Sequence, residues 1–207
     1  TSRGLGDVYK RQRFYMAVVF DDKRQIKRVL GNVLDINDTQ NKFARMQHKA
    51  ERDPLTGIYN RAVFEKYVNE VLADSSKRQH AFFLLDIDDF KKINDGYGHN
   101  AGDFVLKRFA GIVDGIVRKC EGQIVAGRWG GEEFLILYYG ENKEDFYMLL
   151  EYIRMKIYEA QFLYDRNRLS VSVTIGMAAF AKDMSLDEII NNADMKLYEG
   201  KKSGKNK

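Results

Sequence analysis

The spacing of apolar residues along this chain changes character several times, and each change marks an expected element. Two apolar runs, Phe14–Phe20 and Ile26–Ile36, flank Asp21-Asp22-Lys23 and predict a β-hairpin over residues 13–36. Two strands alone are not stable in water, so this hairpin calls for a partner sheet. Residues 37–52 are polar, with Phe43, Met46 and Ala50 at helical spacing, and read as a linker helix too short to establish a heptad. From Asp53 onward, helical and strand periods alternate. Val63–Leu72 places Phe64, Val68, Val71 and Leu72 on one helix face, while Ala81–Ile87 is a continuous apolar run suited to a buried central strand. Phe104–Val117 carries Leu106, Phe109, Val113 and Ile116 at helical spacing. Ile124–Arg128 and Glu133–Tyr139 read as strands joined through Gly130-Gly131. Phe146, Leu149, Leu150, Ile153 and Ile157 form another helix stripe, and Leu169–Ile175 alternates as one half-buried strand. Ser185-Leu186-Asp187-Glu188 is a capping box that opens a last helix. The fold class expected is α/β (α+β), a mixed central sheet of about five strands flanked by helices.

Composition narrows the class. Of 207 residues, 44% are hydrophobic and 31% charged, enough for a real core. The net charge of +4 is visible near the C-terminus in Lys201, Lys202, Lys205 and Lys207. No basic stripe is interleaved with aromatics, so no nucleic-acid partner is expected. The lone Cys120 suits a reducing, cytoplasmic compartment. No apolar run is long enough to span a bilayer, so membrane attachment is expected only through an upstream region, if at all. Asp7-Val8-Tyr9-Lys10-Arg11-Gln12 is what a transposon end used in sequencing libraries encodes, and residues 1–12 are therefore read as foreign to the fold.

Three features carry candidate chemistry. Asp86 closes the apolar strand, where a carboxylate is costly unless it binds something; a helix cap or backbone amides would satisfy it equally well. The hairpin Arg128-Trp129-Gly130-Gly131-Glu132-Glu133 lets a ligand approach the backbone and projects Glu132, although most Gly-Gly turns are plain solvated tips. Phe90-Lys91-Lys92-Ile93-Asn94-Asp95 offers amides and lysines to phosphates, or is simply a polar helix start. Carboxylates at Asp86 and Glu132, if their strands are neighbours, suit Mg²⁺. A Walker A loop, an HExxH helix, paired zinc cysteines and a Gly-x-Ser-x-Gly elbow are all missing from the sequence; His48, His80 and His99 are scattered.

Gly130-Gly131-Glu132-Glu133-Phe134 resembles the GG(D/E)EF signature of diguanylate cyclases. The resemblance extends to Asp53-Pro54-Leu55-Thr56-Gly57-Ile58-Tyr59-Asn60-Arg61, to Asp86-Ile87-Asp88-Asp89-Phe90-Lys91-Lys92-Ile93-Asn94-Asp95, and to Gly98-His99 and Gly102-Asp103. It closes with Ala193-Asp194 through Tyr198 and Lys201-Lys202-Ser203-Gly204-Lys205-Asn206, so that residues 53–207 are identified as a GGDEF catalytic domain with a fold like the palm of nucleotidyl cyclases. The stretch ending Gly31-Asn32-Val33-Leu34-Asp35-Ile36-Asn37 resembles the last strand of a PAS sensor domain.

The resemblance implies an enzyme that condenses two GTP into cyclic di-GMP across a homodimer of domains. It implies two Mg²⁺, or Mn²⁺, held by Asp86, the backbone of Ile87 and Glu132, with Glu132 and Glu133 catalytic. GTP would be bound by Phe90, Lys91, Asn94, Asp103, Gly130, Gly131, Lys201 and Lys205, with Asp103 favouring guanine over adenine. Lys205 stands where the family often has arginine, which keeps the charge and loses bidentate geometry. The family's Arg-x-x-Asp product-inhibition site is replaced by Glu121-Gly122-Gln123-Ile124, with Arg118 and Glu121 out of register, so weak feedback is expected. The competing readings are a GTP-binding regulatory module and a structural dimerisation partner.

Overall fold

The computed structural model describes residues 12–35, 46, 49–73, 79–120, 124–140, 143–179 and 184–207. The chain divides into two units, Thr1–Ala50 and Glu51–Lys207. In the first, strands β1 (Gln12–Phe20) and β2 (Ile26–Asp35) pair antiparallel as the expected hairpin. Asp21 closes its turn, its carboxylate accepting from the amides of Lys23 at 2.9 Å and Gln25 at 2.8 Å. Most of the linker region lies outside the described residues; residues 49–51 are helical.

The second unit runs α1 (Arg61–Ala73), β3 (Gln79–Ile87), α2 (Phe90–Tyr97), α3 (His99–Val117), β4 (Ile124–Gly130), β5 (Glu133–Gly140), α4 (Lys143–Glu159), β6 (Phe162–Tyr164), β7 (Asn167–Leu169), β8 (Val173–Ala179) and α5 (Leu186–Lys202). Among the described residues its main sheet has four strands in the order β4-β5-β3-β8, and each neighbouring pair is antiparallel. The helix-flanked α+β class is borne out; among the described residues the pairing is antiparallel where a mixed sheet was expected. The expected strand Leu169–Ile175 is divided. Leu169 ends β7, which pairs with β6 in a separate hairpin, and Val173 begins β8. Between them the carbonyl of Ser172 turns to accept from the amide of Asp88 at 3.0 Å. Leu169, Val171 and Val173 all remain buried, so the alternation reports one-sided burial and not an unbroken ladder.

Both faces of the sheet are covered. Phe83, Leu85, Phe134 and Ile136 pack with Phe109 and Val113 of α3 and Ile153 of α4. Phe82, Leu84, Leu135 and Leu137 pack with Phe64 of α1 and with Ile189, Ala193 and Leu197 of α5. That two-sided cover is why β3 reads as a continuous apolar run despite its antiparallel neighbours. Helix α5 lies very close to β8: a Cβ on Gly176 would sit 2.0 Å from the Ala193 carbonyl oxygen, and one on Gly200 would sit 2.8 Å from Thr174 Cγ2. This close approach carries the residue after Gly200, Lys201, to the end of β3. Ser185 caps α5, accepting from the Glu188 amide while the Glu188 carboxylate accepts from the Ser185 amide, the predicted capping box.

Candidate functional site

The register of the sheet gathers acidic residues at one end. Asp86 on β3 stands opposite Glu133 on β5 and Thr174 on β8. Gly130 pairs with Glu133, so the turn is Gly131-Glu132 and not the expected Gly130-Gly131. An irregularity between Arg128 and Gly130 shifts the register by one, and Gly131 takes φ +50°, which suits glycine. The Ile87 amide lies 3.5 Å from the Glu132 carbonyl oxygen, bringing the turn beside the end of β3. The Ile87 side chain is buried in the core, which leaves only its backbone for any part in the site.

Burial pushes the Asp86 carboxyl above its ordinary range; the Lys201 ammonium, 2.8 Å away, pulls it back, and the charges of Glu132 and Asp88 add to the rise. The Glu133 carboxyl is raised first by burial and then by Asp86, Glu132 and Asp194. Among the described residues, no three acidic, histidine or cysteine side chains are grouped so as to hold a metal ion by themselves. The donor set nevertheless fits Mg²⁺, which takes one or two carboxylates and fills its other positions with water and substrate phosphates. Burial first and then neighbouring negative charge raise these carboxyls, and a cation bound among them would relieve both.

Helix α2 starts beside these carboxylates. The amides of Phe90 and Lys91 open it and have no intrahelical partner. The Phe90 ring is buried, and the Lys91 side chain is exposed. Asp89, with φ +55°, makes no side-chain cap; its carboxylate pairs with Lys92 at 2.9 Å and Lys205 at 2.8 Å. The Lys205 ammonium is raised above its ordinary value by that pairing. The structure thus brings Asp86, Lys201, Asp89, Lys205 and the start of α2 to one end of the sheet. Asn94 on α2 packs against Gly102 on α3, where a Cβ would fall 2.0 Å from Asn94 Oδ1; only glycine leaves the carboxamide its place. Asp103 follows Gly102 and is exposed.

Sequence reasoning assigned no role to two residues that brace the turn. Arg128 donates to the Gly131 carbonyl from Nε at 3.1 Å and from Nη2 at 2.8 Å. Its Nη1 donates to both oxygens of Asp53, at 3.1 and 3.3 Å. Asp53 also accepts from the Thr56 amide at 2.8 Å and the Thr56 hydroxyl at 2.6 Å. Burial would raise the Asp53 carboxyl, but the hydrogen bonds from Thr56 and Arg128 outweigh it and hold it below its ordinary value. The local Asp-x-x-Thr turn is visible in the sequence; its partner 75 residues away is not. Arg118, half of the imitation inhibition site, is paired with Asp114 at 2.8 Å, and Glu121, Gly122 and Gln123 lie outside the described residues.

A helix-flanked antiparallel sheet with carboxylates, lysines and a helix start gathered at one end defines the class. Residues 50–207 match the diguanylate cyclase GGDEF domain family, and the chain belongs to that family. It is similar to diguanylate cyclase A of Treponema denticola, 36% identical over 132 residues, which cover 63% of this chain and 35% of that protein. It is similar also to diguanylate cyclase DgcP of Pseudomonas aeruginosa, 35% identical over 163 residues, covering 78% of this chain and 24% of that one. The chain therefore spans between a quarter and about a third of the length of these two relatives. Among solved structures, diguanylate cyclase SiaD of Pseudomonas aeruginosa, in complex with its activator SiaC, superposes with a TM-score of 0.72 at 30% identity, covering 83% of this chain and 67% of that one.

Proposed function

We propose that this chain is a diguanylate cyclase that condenses two molecules of GTP into cyclic di-GMP and releases pyrophosphate. The observation that carries the reading is the convergence of Asp86, Glu132 and Glu133 with Lys201, Lys205 and the first amides of α2. Asn94 and Asp103 would take the guanine edge, and the lysines and helix amides the phosphates. Asp86, Glu132 and the Ile87 backbone would hold Mg²⁺, which when bound supplies charge neutralisation at the triphosphate and activation of the attacking hydroxyl. Glu133, its carboxyl raised by burial and then by its acidic neighbours, would take a proton from that hydroxyl. The 3′-oxygen of each GTP attacks the α-phosphorus of the other, so that two P–O bonds form, two bonds to pyrophosphate break, and two pyrophosphates leave. One such site holds one GTP, so two domains must face each other for turnover.

The test is incubation of the chain with GTP and Mg²⁺ at high protein concentration, with products separated by chromatography. Expected are cyclic di-GMP and pyrophosphate at a rate steeper than linear in protein, with no product from Glu132→Gln. GTP binding without product from the unmutated chain would favour the regulatory module; no GTP binding would remove the site assignment.

A further inference from the structure

We infer that Asp88 is a positioning residue for Lys205, acting through Asn206, and that its carboxylate belongs to the fold and not to the metal. The inference rests on the GTP site proposed above. Asp88 lies two residues past Asp86 and is 5% exposed. Both its oxygens are already taken. Oδ1 accepts from the Thr174 hydroxyl at 2.6 Å; Oδ2 accepts from the Ser172 hydroxyl at 2.7 Å and from the Asn206 amide at 3.1 Å. The Asn206 amide also reaches Thr174 Oγ1 at 3.1 Å. A carboxylate used this way has fixed donors around it and little left to offer a cation.

What it holds is an unfavourable backbone. After the cap of α5 at Ser203, Gly204, Lys205 and Asn206 have φ of +114°, +60° and +49°. Side chains with a Cβ adopt that region reluctantly, so the run persists only where its surroundings fix it. Two anchors do so. On one side the Lys205 amide donates to the Gly200 carbonyl at 3.1 Å, a Schellman-type helix end. On the other, Asn206 is gripped by Asp88 through its amide and by Arg154, whose Nη1 donates to the Asn206 carbonyl at 3.2 Å and to its Oδ1 at 2.8 Å. Lys205 sits between the anchors, and from there its ammonium reaches Asp89 at the start of α2. Releasing Asn206 lets the backbone relax toward negative φ and carries the lysine away from the phosphates.

The experiment measures binding of α,β-methylene-GTP with Mg²⁺ to the unmutated chain, Asp88→Asn, Lys205→Met and the double variant, with amide exchange of residues 203–207 followed by mass spectrometry. Each single variant is expected to weaken binding about tenfold, the scale of one charge-assisted phosphate contact, and the double variant no further. Exchange in residues 203–207 is expected to quicken in Asp88→Asn while α5 stays protected. Thr174→Val, which removes one hydroxyl of the clamp, serves if Asp88→Asn does not fold. Losses that multiply to about a hundredfold in the double variant, or exchange that does not change, would overturn the inference. If the unmutated chain fails to bind the analogue, the GTP reading fails; the clamp is then judged on exchange alone, faster exchange supporting it and unchanged exchange refuting it.

Discussion

Asp86 and Asp88 stand two residues apart, are 7% and 5% exposed, and use their carboxylates in opposite ways. Asp88 is surrounded by two hydroxyls and a backbone amide that the fold holds in place. Asp86 has Lys201, a flexible partner whose side chain is 36% exposed, with further carboxylates close by. Displacing three fixed donors from Asp88 would leave buried polar groups without partners, which is expensive. Displacing Lys201 from Asp86 returns an ammonium to water, which is not. A buried carboxylate balanced by a partly exposed lysine on its flexible stem is thus one a ligand can take over, whereas one enclosed by rigid donors is structural. Asp53, held by Thr56 and Arg128, falls on the Asp88 side of this division.

The largest expected break in the pattern is Asp86→Asn, which should lower GTP turnover about a thousandfold, the cost of weakening the hold on the cation that would stabilise transition-state charge; steady-state assays check it. Arg128→Met should destabilise the domain by about 2–3 kcal/mol, because it strips a charge-assisted double contact from the Gly131 carbonyl and leaves Asp53 without its cation. Denaturant unfolding reads that loss.

Glu133→Gln should act the other way and raise the melting temperature of the ligand-free protein by about 2–4 °C. The sign follows from Glu133 being raised above 4.5 in the fold: the folded state binds its proton more tightly than the unfolded state does. Its charged form therefore costs stability at neutral pH, and that cost is relieved as pH falls through the raised value toward 4.5. The stabilisation by Glu133→Gln should accordingly shrink as pH is lowered over that window, which melting curves at several pH values would show. The smallest effect expected is from Lys205→Arg, which regains a bidentate phosphate contact and should lower the KM for GTP about two- to threefold.

Much of this was legible in the residues. The apolar run of β3, the stripes of α1, α3 and α4 and the capping box of α5 are local patterns, and the structure shows each element. Asp86, Glu132, Lys201 and Lys205 were named from motifs, and the sheet register and the tight α5–β8 packing place them at one end of the domain. What sequence did not reveal depends on distant partners. Asp88 meets Ser172 and Asn206 across 84 and 118 residues, and no local spacing announces such a clamp. The sheet order is likewise non-local. The one-residue shift of the signature turn arises from the irregularity at Trp129, because a glycine pair alone does not fix which two residues turn. The break between Leu169 and Val173 was hidden because burial continued while strand pairing did not.

The contrast between the two aspartates is tested most directly by titrating Mn²⁺ into the nucleotide-free chain, Asp86→Asn and Asp88→Asn, following the free ion by electron paramagnetic resonance. Expected is a loss of about tenfold or more in affinity for Asp86→Asn, as for removal of a charged first ligand, and a nearly unchanged affinity for Asp88→Asn. Equal losses in both, or a larger loss in Asp88→Asn, would contradict the division of labour between them.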